Sequence, residues 1–104
     1  MERDRRPSAH TILLLAALIE RAKTWKYGYE LSYVTGLKSG TIYPILMRLS
    51  DRGLLESTWR SSPQRGRPPR HMYRLTTEGT VFARNEVVRG KTKKKLGELL
   101  GGIA

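Results

Sequence analysis

The sequence predicts a mainly α domain carrying a small antiparallel β wing, and three observations point there. Apolar residues recur at helical spacing through residues 12–49 and again near the end of the chain. Two short runs of β pattern, 54–60 and 71–75, flank a stretch of Ser, Pro, Gln, Arg and Gly with no apolar side chain. The helix before that hairpin has one apolar stripe and a polar, partly basic outer face. Three helices, a two-stranded wing and a long C-terminal helix form the layout of a winged helix-turn-helix.

Each element has a local reason. Pro7 and Ser8 open the first helix, expected over 8–22. Its middle, ILLLAALI at 12–19, is apolar nearly all round, so more than one of its sides is buried. One side serves the core. The other is covered either by a second subunit or by later helices of the same chain. Residues 24–28 read as a connection. Tyr29, Leu31 and Val34 lie on a short second helix that stops at Gly36. Ser39 or Thr41 is expected to cap the third helix, because a short side-chain oxygen accepts from the unpaired amides there. Ile42, Ile45, Leu46 and Leu49 then fall at i, i+3, i+4, i+7 and make the core stripe, and Gly53 ends the helix.

The first wing strand, 54–60, places Leu55, Ser57 and Trp59 on one face and Leu54, Glu56 and Thr58 on the other. Residues 61–69 form the loop, and 71–75 the returning strand. Thr76 or Thr77 caps a long last helix, with Glu78 in its first turn where a negative charge suits the helix dipole. Val81, Phe82, Val87 and Val88 give that helix an apolar side. Gly90 and the cluster Lys91, Lys93, Lys94 and Lys95 interrupt the pattern, which resumes at Leu96, Leu99, Leu100 and Ile103. The expected division is a DNA-binding unit over 1–76 and a dimerisation helix over 77–104, within one compact body. Leu14, Leu18, Val88, Leu96, Leu99, Leu100 and Ile103 are the candidate dimer contacts; the other reading folds the last helix back onto the first helix of its own chain.

Composition narrows the partner. The chain has 104 residues, with 20 Lys and Arg against 9 Asp and Glu, a formal net charge of +11. Such a charge attracts polyanions: nucleic acid, an anionic membrane surface or an acidic protein. The apolar run at 12–19 is far short of the ~20 residues a membrane span needs. Glu2 and Asp4 dilute the basic residues before it, and Glu20 and Arg21 stand where a cleavage site would lie, so a cytoplasmic protein is expected. There is no cysteine, and His10 and His71 are isolated, so neither a metal nor another cofactor is expected. No nucleophile, base and orienting group assemble along the chain, and no enzyme activity is expected.

Double-stranded DNA is the expected partner, met by two groups of residues. On the third helix, Tyr43, Pro44, Met47 and Arg48 lie opposite the core stripe, and Lys38, Ser39, Gly40 and Thr41 lie at its N-terminus. Free amides and the positive dipole end favour a phosphate there, and short side chains allow close approach. Pro44 has no amide hydrogen to donate, which places it near the helix start. A merely solvated face is the other reading, but Tyr, Pro and Met replace the usual Glu/Lys mixture. In the hairpin no acidic residue occurs from 57 to 77, while Arg60, Arg65, Arg67, Arg70 and Arg74 all do. Arg65, Arg67 and Arg70 form the basic wing, suited to phosphate contact or to a narrow minor groove. Trp25 and Trp59 read as core or interface residues.

The stretches GYELSYVTGLKSGTIYPILMRLSDRGLLES and GRPPRHMYRLTTEG resemble the PadR family of winged-helix transcriptional regulators. The resemblance covers roughly 11–83. It rests on Gly28, Tyr29, Glu30 and Leu31 in the second helix, on Ser39, Gly40, Thr41, Tyr43, Pro44, Leu46, Arg48 and Leu49 in the third, and on Arg70, Tyr73, Leu75, Thr76 and Gly79. It implies a homodimer binding a palindromic operator, usually as a repressor, with release in many members by a small molecule or other signal. His71 and Met72 stand where the family often has a basic and an aromatic residue. A sequence-neutral basic nucleic-acid-binding or architectural protein is the rival reading.

Overall fold

A computed structural model of the chain describes residues 7–61, 66 and 69–101, with side chains as far as Lys91. The elements run α1 (Ala9–Ile19), β1 (Lys26–Tyr27), α2 (Gly28–Thr35), α3 (Ser39–Asp51), β2 (Leu55–Arg60), β3 (Arg70–Leu75) and α4 (Thr77–Gly101). The fold is mainly helical, and its antiparallel sheet has three strands in the order β1-β3-β2. The two-stranded wing expected from sequence therefore gains a strand, in what was read as a connection. Lys26 pairs with Tyr73 and Tyr27 with Met72, while Leu55↔Leu75 through Arg60↔Arg70 fix the hairpin register.

The first helix begins at Ala9, one residue after the expected Ser8, which caps it, its hydroxyl accepting from the Thr11 amide at 3.2 Å. The helix stops at Ile19, short of the expected residue 22. Arg21 takes a left-handed backbone with φ 48°. The Lys26 ammonium then gathers the carbonyls of Leu18 (3.1 Å), Arg21 (3.0 Å) and Thr24 (3.4 Å). One lysine thus satisfies the unpaired acceptors of the helix end and draws the chain round into β1. Burial lowers the pKa of that ammonium, with Glu20 and Glu30 opposing the shift.

Gly36 ends α2 as read from sequence. The cap of α3 differs from expectation. Lys38 is the N-cap and its side chain makes no capping bond, while Ser39 is already the first helical residue. The first intrahelical bonds run from Thr41 and Ile42 to the Lys38 carbonyl, both at 2.9 Å, so the Ser39 and Gly40 amides come before them. Pro44 sits inside the helix rather than in its first turn. The residue four before it is Gly40, whose exposed position leaves that carbonyl to solvent.

The core joins Leu14, Leu15 and Leu18 of α1 to Leu31, to the α3 stripe Ile42, Ile45, Leu46 and Leu49, and to Leu54, Leu55, Tyr73, Leu75 and Ala83. Leu14 and Leu18 are 0% exposed within the single chain. That corrects their assignment to a dimer interface. The all-round apolar α1 is covered on its second side by α4, which packs along it. The exposed leucine of α1 is Leu13. The last helix continues through Gly90, where the apolar pattern breaks, because Gly90 lies against Ile12 of α1.

Thr76 joins wing to helix. Its amide donates to the Leu54 carbonyl at 3.1 Å, its hydroxyl donates to the Gly53 carbonyl at 2.8 Å, and the same oxygen accepts from the Gly79 amide at 2.9 Å. Gly79 rests directly on the Leu54 carbonyl, and any β-carbon there would collide with it. The side chains of Leu96, Leu99 and Leu100, and the whole of Ile103, lie outside the described residues.

Candidate nucleic-acid interface

The outer face of α3 is open. Lys38, Ser39, Gly40, Pro44, Met47 and Arg48 are exposed, Thr41 is half-buried, and the opposite stripe is in the core. Tyr43 differs from the others. Its ring lies against the backbone of Gly28 at the start of α2, and a β-carbon at Gly28 would come 2.5 Å from the Tyr43 hydroxyl. Tyr43 thus packs α3 against the start of α2 while remaining exposed on the outer face.

The five hairpin arginines divide. Arg65 and Arg67 lie outside the described residues. Arg74 is committed to holding the sheet: it pairs with Glu56 at 3.1 Å, lies 4.2 Å over the Trp25 ring and donates to the Lys23 carbonyl at 3.4 Å. Arg60 and Arg70 face each other at the open end of the ladder. Arg70 is exposed and lies close to Tyr27 and Tyr29, with no carboxylate bonded to it among the described residues.

Several aromatic residues at this site escaped sequence reasoning. Trp59 and His71 are cross-strand partners whose rings stack at 4.1 Å, and His71 continues to Tyr73 at 4.5 Å. His71 Nδ1 and the Tyr73 hydroxyl share a 2.9 Å hydrogen bond. Burial lowers the His71 pKa below its ordinary value, favouring the neutral ring. Burial, then the nearby Tyr43, pushes the Tyr73 phenol up to about 12. Hairpin register alone would have paired Trp59 with His71, but the approach of Tyr27 and Tyr29 needed the unforeseen β1. Between α3 and the wing these residues border a groove of about 600 Å³, with Tyr29, Tyr43, Met47, Trp59 and Arg70 in its walls.

The arrangement is a rigid surface with a helix face and a basic finger side by side. Among the described residues no three metal-ligating side chains cluster. Among the described residues, no helix is long and apolar enough to cross a membrane.

A family model described as the transcriptional regulator PadR-like family matches residues 14–85, more than half of the chain. The chain belongs to the PadR-like family. Among solved structures, a PadR-like transcription factor from Bacteroides fragilis is 28% identical, with a TM-score of 0.66 over 90% of this chain and 88% of that one. A PadR family transcription regulator from Clostridium difficile is 27% identical, with a TM-score of 0.71 over 88% and 98%. The PcaV transcriptional regulator from Streptomyces coelicolor, in complex with its natural ligand, is 30% identical with a TM-score of 0.71, over 96% of this chain and 65% of that one. No curated protein matches. The PadR motif positions acquire structural reasons here: Gly28 makes room for Tyr43, and Gly79 makes room for the Leu54 carbonyl.

Proposed function

We propose that this PadR-family regulator is a sequence-specific DNA-binding repressor acting as a homodimer on a palindromic operator. The observation that carries the reading is the exposed α3 face beside a hairpin end whose residues from 57 onward carry arginines and no acidic residue, which suits a phosphate backbone. Lys38, Ser39, Gly40, Thr41, Tyr43, Pro44, Met47 and Arg48 would read the major groove and its edge. Arg65, Arg67 and Arg70 would hold the flanking backbone or minor groove. Residues 1–76 would form the DNA-binding unit and 77–104 the dimerising helix. Half-sites would then be related by the dimer axis, about one turn (~34 Å) or a multiple apart.

Exposed apolar side chains outside the DNA face support a second subunit: Leu13 at 43%, Val81 at 56% and Val88 at 61%. A groove of about 450 Å³ between α1 and α2, walled by Leu13, Trp25 and Val34, is large enough for a small-molecule effector. The structure of PcaV with its natural ligand gives the precedent for ligand binding in a similar fold.

Selection of bound fragments from random DNA tests the proposal. The expected result is a palindrome bound ~10³-fold or more tighter than unrelated sequence. Equal affinity for every sequence would instead favour a sequence-neutral architectural protein.

A further inference from the structure

The regulator reading names Arg70 as a contact but leaves the tyrosines beside it without a role. The Arg70 guanidinium lies 5.3 Å from the Tyr29 ring centroid and 5.6 Å from that of Tyr27. It also donates to the Tyr29 hydroxyl at 3.3 Å. The two rings are stacked on each other at 5.3 Å, with 16° between their planes. Arg60, directly opposite Arg70 in the ladder, donates to the Tyr27 hydroxyl at 3.4 Å. Both tyrosines sit where β1 passes into α2, an anchored junction: the Tyr27 amide donates to the Glu30 carboxylate at 2.9 Å, and Tyr43 presses on Gly28. A wing arginine is therefore held by a residue 41 positions away, Tyr29, at the start of α2 in the helix-turn-helix.

This matters because an arginine in solution samples many rotamers, and ordering it on binding costs affinity. The contrast with Arg74 is informative. Arg74 also lies on an aromatic ring, but its charge is taken up by Glu56. Arg70 is held by a neutral pair, so its orientation is fixed while its charge stays available. It stands at the wall of the groove between α3 and the wing, where it can meet an anion beside the recognition helix.

We propose that Tyr29, backed by Tyr27, is a positioning residue that holds Arg70 ready to anchor one backbone phosphate at the rim of the α3–wing groove. The phosphate assignment rests on the DNA-binding reading; the holding of Arg70 does not.

Two measurements on the full chain test it. In the DNA-free protein, NMR of the Arg70 side chain is expected to show its protons shifted upfield by the tyrosine rings, returning to ordinary arginine positions in Tyr29→Ala. Arg70 protons unshifted in the wild type, or unmoved in the variant, would overturn the positioning role whether or not DNA is bound. Affinity for a short mixed-sequence DNA duplex is then compared across a double-mutant cycle. Tyr29→Ala should weaken binding by roughly fivefold, the scale of cation–π contacts at exposed sites. Tyr29→Phe should recover most of that loss, and Tyr29→Ala should cost nothing further on top of Arg70→Ala. Full additivity would make Tyr29 an independent contact and sink the proposal. Wild-type protein that binds no duplex at all would reject both the regulator reading and the phosphate role, while the NMR result would still decide whether Tyr29 holds Arg70.

Discussion

Changing glycine to alanine at two positions of α4 should move stability in opposite directions. At Gly79 the new methyl would meet the backbone carbonyl of Leu54, which cannot swing aside as a side chain can. Overpacking of this kind costs about 1–3 kcal/mol. Moving the carbonyl also stretches its bond from the Thr76 amide, now 3.1 Å, for about 1 kcal/mol more. The better helix propensity of alanine returns about 1 kcal/mol. The net expectation for Gly79→Ala is a loss of about 1–3 kcal/mol, which lowers Tm by on the order of 10 °C in a domain of this size. At Gly90 the same methyl would lie 3.6 Å from the Ile12 side chain, an ordinary contact. Only the propensity gain remains, so Gly90→Ala should stabilise by up to about 1 kcal/mol. Thermal and urea unfolding followed by circular dichroism measure both. A Gly79→Ala protein as stable as wild type would show that α4 does not rest on the Leu54 carbonyl.

Four further outcomes are expected. Arg48→Ala should weaken operator binding and reduce its salt slope by about one, since one fewer counterion is released. Arg74→Ala should leave that slope unchanged but cost about 1 kcal/mol of stability, since its partners are Glu56 and Trp25; a changed slope would return Arg74 to the contact surface. For His71 the folded pKa lies below 6.5, so the unfolded chain binds the proton more readily. Its contribution to stability is complete above 6.5 and is lost as pH falls through the folded value, and urea unfolding across that range should show a shallower pH dependence in His71→Gln. Val88→Glu should shift a dimer toward monomer in light scattering, by tenfold or more in dissociation constant; an unchanged mass would move the interface off this face of α4.

The helices were legible because burial imposes a period. The i, i+3, i+4, i+7 stripe of α3 is the set that reached the core, and Ser8 and Thr76 sit at helix starts where their oxygens accept amide hydrogens. The two-residue β1 was not legible: two residues carry no period, and the strand exists because Tyr73 and Met72 lie across from it. Nor could the sequence say which partner covers an all-round apolar helix. Leu14 and Leu18 needed the return path of α4 to be placed inside one chain. The exposed face of α3 followed from its helical pattern. The inward-leaning Tyr43 and the Arg70–Tyr29 contact did not, since both depend on separate elements meeting in space.

The central position of β3 has a consequence for how such a regulator can change. Both edges of that strand are bonded, and Arg74 ties its inner end to Glu56 of β2 and to Trp25 and Lys23, just before β1. The root of the hairpin is therefore bonded on both sides before the chain enters the connection between its two strands. Substitutions or insertions confined to that connection should therefore leave the register of the strands and the core as they are. The wing tip is in this sense an exchangeable cassette. If the proposed DNA contact is right, affinities for flanking DNA can change there one residue at a time.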